Sequence, residues 1–168
     1  MKRAFAAALV FALAQGVVGA QADGFGALRF LFGNWQAIDL PAGESGGFTF
    51  KLGVQDHVVI RTNEAHYPAA GDRPASNHDD LLVIYREDGS LKADYFDSEG
   101  HVIRYVVDTP STNVATFVST RTAGQPRYRL TYHADAGGLL IGSFEIAAPD
   151  AADTFKPYLT WKARRVGG

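Results

Sequence analysis

Residues Asp80–Val107 read DLLVIYREDGSLKADYFDSEGHVIRYVV. Two glycine-bearing turns, Glu87-Asp88-Gly89 and Ser98-Glu99-Gly100, divide the stretch into three alternating apolar runs. Glycine supplies the positive φ that a hairpin bend needs, so the pattern predicts three antiparallel strands in a meander. A three-residue loop at Ser98–Gly100 sets Asp97 opposite His101, Tyr95 opposite Ile103 and Ala93 opposite Tyr105. The opposite face then carries Phe96 against Val102 and Asp94 against Arg104, a cross-strand charge pair suited to a solvated surface. Leu91, Ala93, Tyr95, Ile103, Tyr105 and Val107 form the apolar, inward face. That inward row ends in Asp97 and His101, and the preceding strand begins beside them with His78, Asp79 and Asp80.

Outward from the meander, short alternating runs continue in both directions. Strands are expected at Gly33–Asp39, Phe48–Leu52, Asp56–Glu64, Asn113–Thr120, Pro126–His133, Leu139–Ile146 and Tyr158–Val166, separated by clusters of turn residues. Asp23–Phe32 places Phe25, Leu28 and Phe32 at helical spacing, with Asp23 as a candidate N-cap, and predicts a short helix stopped by Gly33. Ala65–Asp79 has no pattern and exceeds what a compact domain normally spends on a connection, which predicts a lid or binding loop carrying His66 and Tyr67. About ten short antiparallel strands with hairpin-length links indicate an all-β protein, an antiparallel up-and-down β-barrel behind a short N-terminal helix. Ten strands enclose more room than eight, so an internal cavity is expected.

Composition narrows the setting. Met1-Lys2-Arg3, an apolar run from Ala4 to Ala14, and Ala20-Gln21-Ala22 have the form of a cleavable secretory leader over residues 1–22. The expected mature unit is one barrel domain, residues 23–168, in the periplasm or secreted. No apolar run has the length of a membrane-spanning helix. The chain has no cysteine, so neither disulfides nor thiolate chemistry contribute. Its formal charge is −2, and loss of Lys2 and Arg3 makes the remainder more acidic. No basic excess exists to neutralise phosphates, which argues against nucleic acid as a partner.

The arrangement also resembles a known superfamily. A short helix leading into Gly33-x-Trp35, an antiparallel meander, and a last strand with Trp161 and Arg164-Arg165 resemble the calycins, which include lipocalins and the ten-stranded nitrobindin-like barrels. The segment Tyr95–Ile103 is similar to the YFDxEGHVI stretch of a family of exported bacterial proteins. The resemblance implies that Trp35 closes one barrel end and that Arg164 or Arg165 stacks on it, a structural role with a cation–π basis. Nitrobindin-type proteins hold haem through a histidine near the end of the barrel. This chain has no histidine after His133, so the resemblance carries no haem ligand over.

The candidate sites lie mostly on one rim. His78, Asp79, Asp80, Asp97 and His101 set carboxylates beside imidazoles, a combination that could tune a general base or bind a divalent metal. Against this stands the ordinary use of aspartate at strand ends and turns. The spacing matches no established zinc signature, so no metal ligand is assigned. His101, Asp97 and His78 are the candidate catalytic groups. On Arg127–His133 the tyrosines alternate with basic residues. Tyrosines inward is the favoured reading, while the opposite parity would aim Arg127 and Arg129 at an acidic head group. Gly43-Glu44-Ser45-Gly46-Gly47 fits the letters of a nucleophile elbow without the strand-to-helix context that the elbow requires.

Together these readings predict an exported barrel that binds a small, apolar or amphipathic ligand in its cavity. Tyr95, Ile103, Tyr105, Tyr128, Leu130 and Tyr132 would line it, with His66, Tyr67, His78 and His101 at the mouth. Two other classes stay open: an enzyme using the rim acid–histidine cluster, with or without a metal, and a ligand-free envelope interaction module. The module would need an exposed apolar patch, for which Phe96, Val102 and Val106 are the candidates.

Overall fold

The structure is a computed structural model and describes residues 24–151 and 153–167. The expected leader and the candidate N-cap Asp23 lie outside the described residues. Within them ten strands form a closed antiparallel barrel: β1 Gly33–Ile38, β2 Ser45–Gly53, β3 Val58–Tyr67, β4 Ser76–Glu87, β5 Ser90–Asp97, β6 Val102–Ser111, β7 Val114–Ser119, β8 Arg127–Ala134, β9 Leu140–Ala147 and β10 Lys156–Val166. Every strand pairs with its neighbours in the chain, and β1 pairs with β10 to close the ring. Closure leaves no sheet edge to template pairing with another chain.

The central meander has the expected register. Ala93 faces Tyr105, Tyr95 faces Ile103, and Phe96 faces Val102. The β4–β5 turn is tighter than the sequence pattern suggests: Glu87 pairs with Ser90, leaving Asp88-Gly89 as a two-residue bend. Both have positive φ, 51° and 77°, the combination that matches the right-handed strand twist. Gly100 closes the next turn at φ 87°, its N–H donating to Asp97 O at 3.1 Å. Asp94 and Arg104 oppose each other in register, but Asp94 instead accepts a hydrogen bond from the Tyr85 hydroxyl at 3.4 Å.

Two expectations are corrected. The N-terminal element is a 3-10 turn, Gly26–Leu31, rather than a helix over 23–32. At three residues per turn, Phe25, Leu28 and Leu31 fall on one face, and all three are buried. The expected loop Ala65–Asp79 is strand at both ends: Ala65 pairs with His78, His66 with Asn77, and Tyr67 with Ser76. Only residues 68–75 connect β3 to β4, with a further bridge between Ala70 and Arg73. The alternation that announces a strand fails on the β4 side because its inward positions here, Ser76 and His78, are polar.

The barrel has a closed end and an open end. At the closed end the 3-10 turn lies over the strands, and Trp35 Nε1 donates to Leu31 O at 2.7 Å. The Arg165 guanidinium stacks 4.3 Å from the Trp35 ring and donates to the Phe30 and Phe32 carbonyls. Arg165 therefore takes the role shared in expectation with Arg164, which sits at the alternate, outward parity. Above this plug the interior is filled. Phe48, Phe50, Phe117 and Trp161 surround Tyr132 with ring centroids 5.4–6.2 Å away. Burial of each such ring is worth about 1.5–3 kcal/mol. Gly142 makes room for the indole: a Cβ there would lie 2.1 Å from the Trp161 ring.

Among the described residues no helix is long and apolar enough to cross a membrane. The outer face carries Lys92, Asp94, Arg104, Asp108 and Arg129 around the ring, whereas the core is apolar.

Candidate functional site

The open end gathers the last residues of β3, β5, β7 and β9 and the first of β4, β6, β8 and β10. Side-chain parity follows from pairing. On β3, Val59, Arg61 and Asn63 point inward, and on β4 His78, Asp80, Leu82 and Ile84 do so. On β5 the inward set is Leu91, Ala93, Tyr95 and Asp97. One wall of the mouth is thus polar, from β3 through the β5–β6 turn.

These polar groups form one connected network. Arg61 donates through Nη1 to the Tyr132 hydroxyl and through Nη2 to Asp80 Oδ1. Asn63 Nδ2 donates to the other Asp80 oxygen at 3.0 Å. His78 Nε2 stands 3.5 Å from that same oxygen and 3.2 Å from the Tyr95 hydroxyl. Tyr95 donates to Asp97 Oδ2 at 3.4 Å, and the His101 ring Nδ1 lies 2.9 Å from it. The second Asp97 oxygen accepts the backbone N–H groups of Glu99 and His101 at 3.0 and 2.8 Å. His78 Nδ1 faces Glu99 Oε1 at 3.0 Å.

Local chain geometry accounts for the rim. Gly100 lets the β5–β6 turn fold back so that two N–H groups converge on the Asp97 carboxylate. Aspartate is favoured there for this reason. The same turn carries Glu99 over the mouth toward β4 and His78.

Environment sets the charges. Burial opposes charge on Arg61, but Tyr132 and Asp80 outweigh it, so the guanidinium is held above even its ordinary value. Burial also opposes charge on His78, and the Glu99 hydrogen bond with the fields of Glu99, Asp80 and Asp97 overcomes it, raising the pKa. Burial would push Asp97 up; the His101 N–H, the His101 ring and the Glu99 N–H more than offset this and lower it. Burial, with Asp80 and Asp97 close by, pushes the Tyr95 phenol far above its usual range. The phenol therefore remains a neutral hydrogen-bond donor at any physiological pH.

The facing wall, from β8 to β10, is aromatic. Tyr128 stacks on Phe144 with centroids 5.7 Å apart, Phe144 meets Tyr158 edge-on, and Trp161 packs against Tyr132 below. Tyr128, Phe144, Trp161 and Ile103 are half-buried and rest on the core. The mouth thus has an aromatic side and an acid–imidazole side, with buried aromatic rings beneath.

The structure brings together His78, Asp80, Asp97 and His101, as the sequence suggests. Tyr95, Ile103 and Tyr128 stand at the level of the mouth, while Tyr105, Leu130 and Tyr132 are buried in the packing beneath it. Tyr67 shares the inward parity of β3. His66 does not: it is exposed on the outer face, with its Nδ1 2.8 Å from Asn77 Oδ1. Asp79 also points outward, opposite Glu64. The tyrosines of β8 face inward as favoured; Arg129 lies outside, paired with Glu145 at 2.6 and 2.8 Å. On the outer face Leu81, Phe96 and Val102 form a continuous exposed apolar row across β4, β5 and β6.

Sequence reasoning misses several members of the site, Asn63 among them. Arg61 follows the run Val58-Val59-Ile60, whose lack of alternation hides which parity faces in. Glu99 reads as a turn residue. Phe144 and Trp161 sit in strands whose parity only the β8–β9–β10 pairing fixes. No family model matches the chain, and no curated protein matches it.

Proposed function

We propose that this is an exported, calycin-like barrel that holds one small, largely apolar ligand in the cup at its open end. The observation that carries the reading is the half-buried aromatic wall of Tyr128, Phe144 and Trp161 standing on a filled core, opposite the polar wall of His78, Asp80 and Asp97. Aromatic surface left half in water on the inside of a barrel gains from a partner. About 200 Å² of apolar burial would contribute roughly 5 kcal/mol before the costs of association. The carboxylates opposite select ligands whose polar end donates hydrogen bonds or carries positive charge. The leader-like residues 1–22 support export, and Trp35 under Arg165 supports the calycin resemblance.

The test uses N-phenyl-1-naphthylamine, a neutral apolar probe whose emission rises on burial. One equivalent should bind, and Phe144→Ala and Trp161→Ala should each weaken binding by tenfold or more. Native mass spectrometry of protein recovered from its own cells should show an added mass that denaturation releases. No probe uptake and a clean apo mass together would count against a binding cup.

A second reading draws on Asp97 and His101. A carboxylate with 5% side-chain exposure holds one imidazole nitrogen, leaving the other open to solvent, which is the orientation used by a general base. This reading predicts that His101→Ala abolishes hydrolysis of a p-nitrophenyl ester panel with the melting temperature nearly unchanged. Wild-type protein with no hydrolysis above buffer removes it.

A further inference from the structure

One cluster in the mouth has a composition that an organic ligand does not explain. His78, Asp97 and Glu99 each offer a donor atom, and the three atoms lie within 4.8 Å of one another. His101 Nδ1 stands beside them, 2.9 Å from Asp97 Oδ2 and 3.8 Å from Glu99 Oε2. Bonds of about 2.0–2.2 Å to a first-row metal place neighbouring donors roughly 3–3.5 Å apart. Glu99 is half exposed on a turn, so its carboxylate can close that difference by rotation.

Charge supplies an independent argument. Asp80, Asp97 and Glu99 bring three carboxylates to the network, against one fixed cation, Arg61. The acidic excess is concentrated at Asp80 and Asp97, each only 5% exposed. A cation bound beside these two carboxylates would offset that excess.

The surroundings of His78 fit the same assignment. With Nδ1 toward Glu99, Nε2 faces the Tyr95 hydroxyl at 3.2 Å and Asp80 Oδ2 at 3.5 Å. Asp80 is itself fixed by Arg61 and Asn63. A metal-bound histidine whose other nitrogen is oriented by an anchored carboxylate is the usual arrangement around protein-bound metals. We propose that His78 Nδ1, Asp97 and Glu99 bind one divalent transition-metal ion, with His101 as a fourth donor in reach and the cup side left open. Mixed nitrogen and oxygen donors without sulfur favour ions of the zinc, cobalt, nickel and manganese type over calcium or copper(I). The site stands on this geometry and does not depend on whether the cup takes an organic ligand.

The test uses tag-free protein stripped with a chelator and titrated with Co²⁺, followed by d–d absorption, and with Zn²⁺, followed by calorimetry. The expected result is one equivalent bound, affinity at least tenfold weaker in Glu99→Gln, and loss of the visible Co²⁺ spectrum in His78→Ala. His66→Ala, on the outer face, should bind as wild type does. Circular dichroism of the metal-free variants reports folding; should His78→Ala fail to fold, Glu99→Gln, at an exposed turn, decides alone. The assignment is overturned by an absence of stoichiometric uptake, by uptake unchanged in Glu99→Gln, or by an equal loss in His66→Ala.

Discussion

Arg61 on β3 reaches diagonally across to Asp80 on β4, and both side chains are only 5% exposed. The pair joins the barrel core to its mouth: below it Arg61 meets Tyr132, and above it Asp80 orients His78. Arg61 Nε has no hydrogen-bond partner among the described residues, so the guanidinium is held by its other two nitrogens. Removing one member of a buried pair strands the other charge, which costs about 3–5 kcal/mol, whereas replacing both with apolar groups is often close to neutral. Asp80→Asn and Arg61→Met should therefore each lower unfolding free energy by about 3 kcal/mol or more in urea titrations. The double variant Arg61→Met/Asp80→Leu should recover most of that loss. Single variants within about 1 kcal/mol of wild type would mean that the pair is solvated in solution.

The closed end makes a more local prediction. Arg165 stacks on Trp35 and ties down the carbonyls of Phe30 and Phe32. The cation–π contact is worth about 0.5–2 kcal/mol and the hydrogen bonds add to it. Arg165→Ala should cost about 2 kcal/mol and loosen the 3-10 turn. Arg164→Ala, at the outward parity, should change stability by less than about 0.5 kcal/mol. Equal effects of the two would remove the distinction between them.

What the sequence makes legible, and what it hides, follows from the same chemistry. The meander is readable because Gly89 and Gly100 mark its bends and its inward face is apolar from Leu91 to Tyr95 and from Ile103 to Val107. The barrel class follows from that unit repeated with short links. The strand ends at the mouth, residues 65–67 and 76–79, are hidden because the inward positions of β4 there, Ser76 and His78, are polar. A wet barrel end reads as loop for the same reason that it is of functional interest. Asp97 and His101 are legible together because register alone places them. Arg61 is not, because nothing in Val58–Arg61 says which parity faces in, and its partner Tyr132 is distant in sequence. The 3-10 turn reads as a helix because Phe25, Leu28 and Phe32 satisfy a helical spacing, while the structure uses Leu31 in place of Phe32.

Gly142 and Trp161 give a steric test of the aromatic wall. The indole occupies the volume that a side chain at position 142 would take, since a Cβ added there would lie only 2.1 Å from the ring. Gly142→Ala therefore forces Trp161 out of place, an overpacking cost of about 1–3 kcal/mol. Tryptophan emission should shift to the red, and N-phenyl-1-naphthylamine binding should weaken along with it. Trp161→Phe/Gly142→Ala should recover part of the stability, since the smaller ring leaves room for the methyl. An unshifted emission spectrum in Gly142→Ala would place the indole elsewhere.

The outer wall supplies a pH test away from the mouth. Glu145 accepts two hydrogen bonds from Arg129; this pairing outweighs its partial burial and holds its carboxyl below the ordinary value. A carboxylate whose folded-state pKa is depressed contributes stability that is present above the unfolded value, about 4.3 for glutamate, and lost as pH falls through the folded value. Wild-type melting temperature should therefore drop between about pH 5 and pH 3 by more than that of Glu145→Gln. At pH 7 the variant should be the less stable of the two, and the two curves should converge toward the acid end. Parallel curves across that range would show that Arg129 and Glu145 exchange with solvent rather than with each other, and that the β8–β9 wall is held by its ladder and by Tyr128 on Phe144 alone.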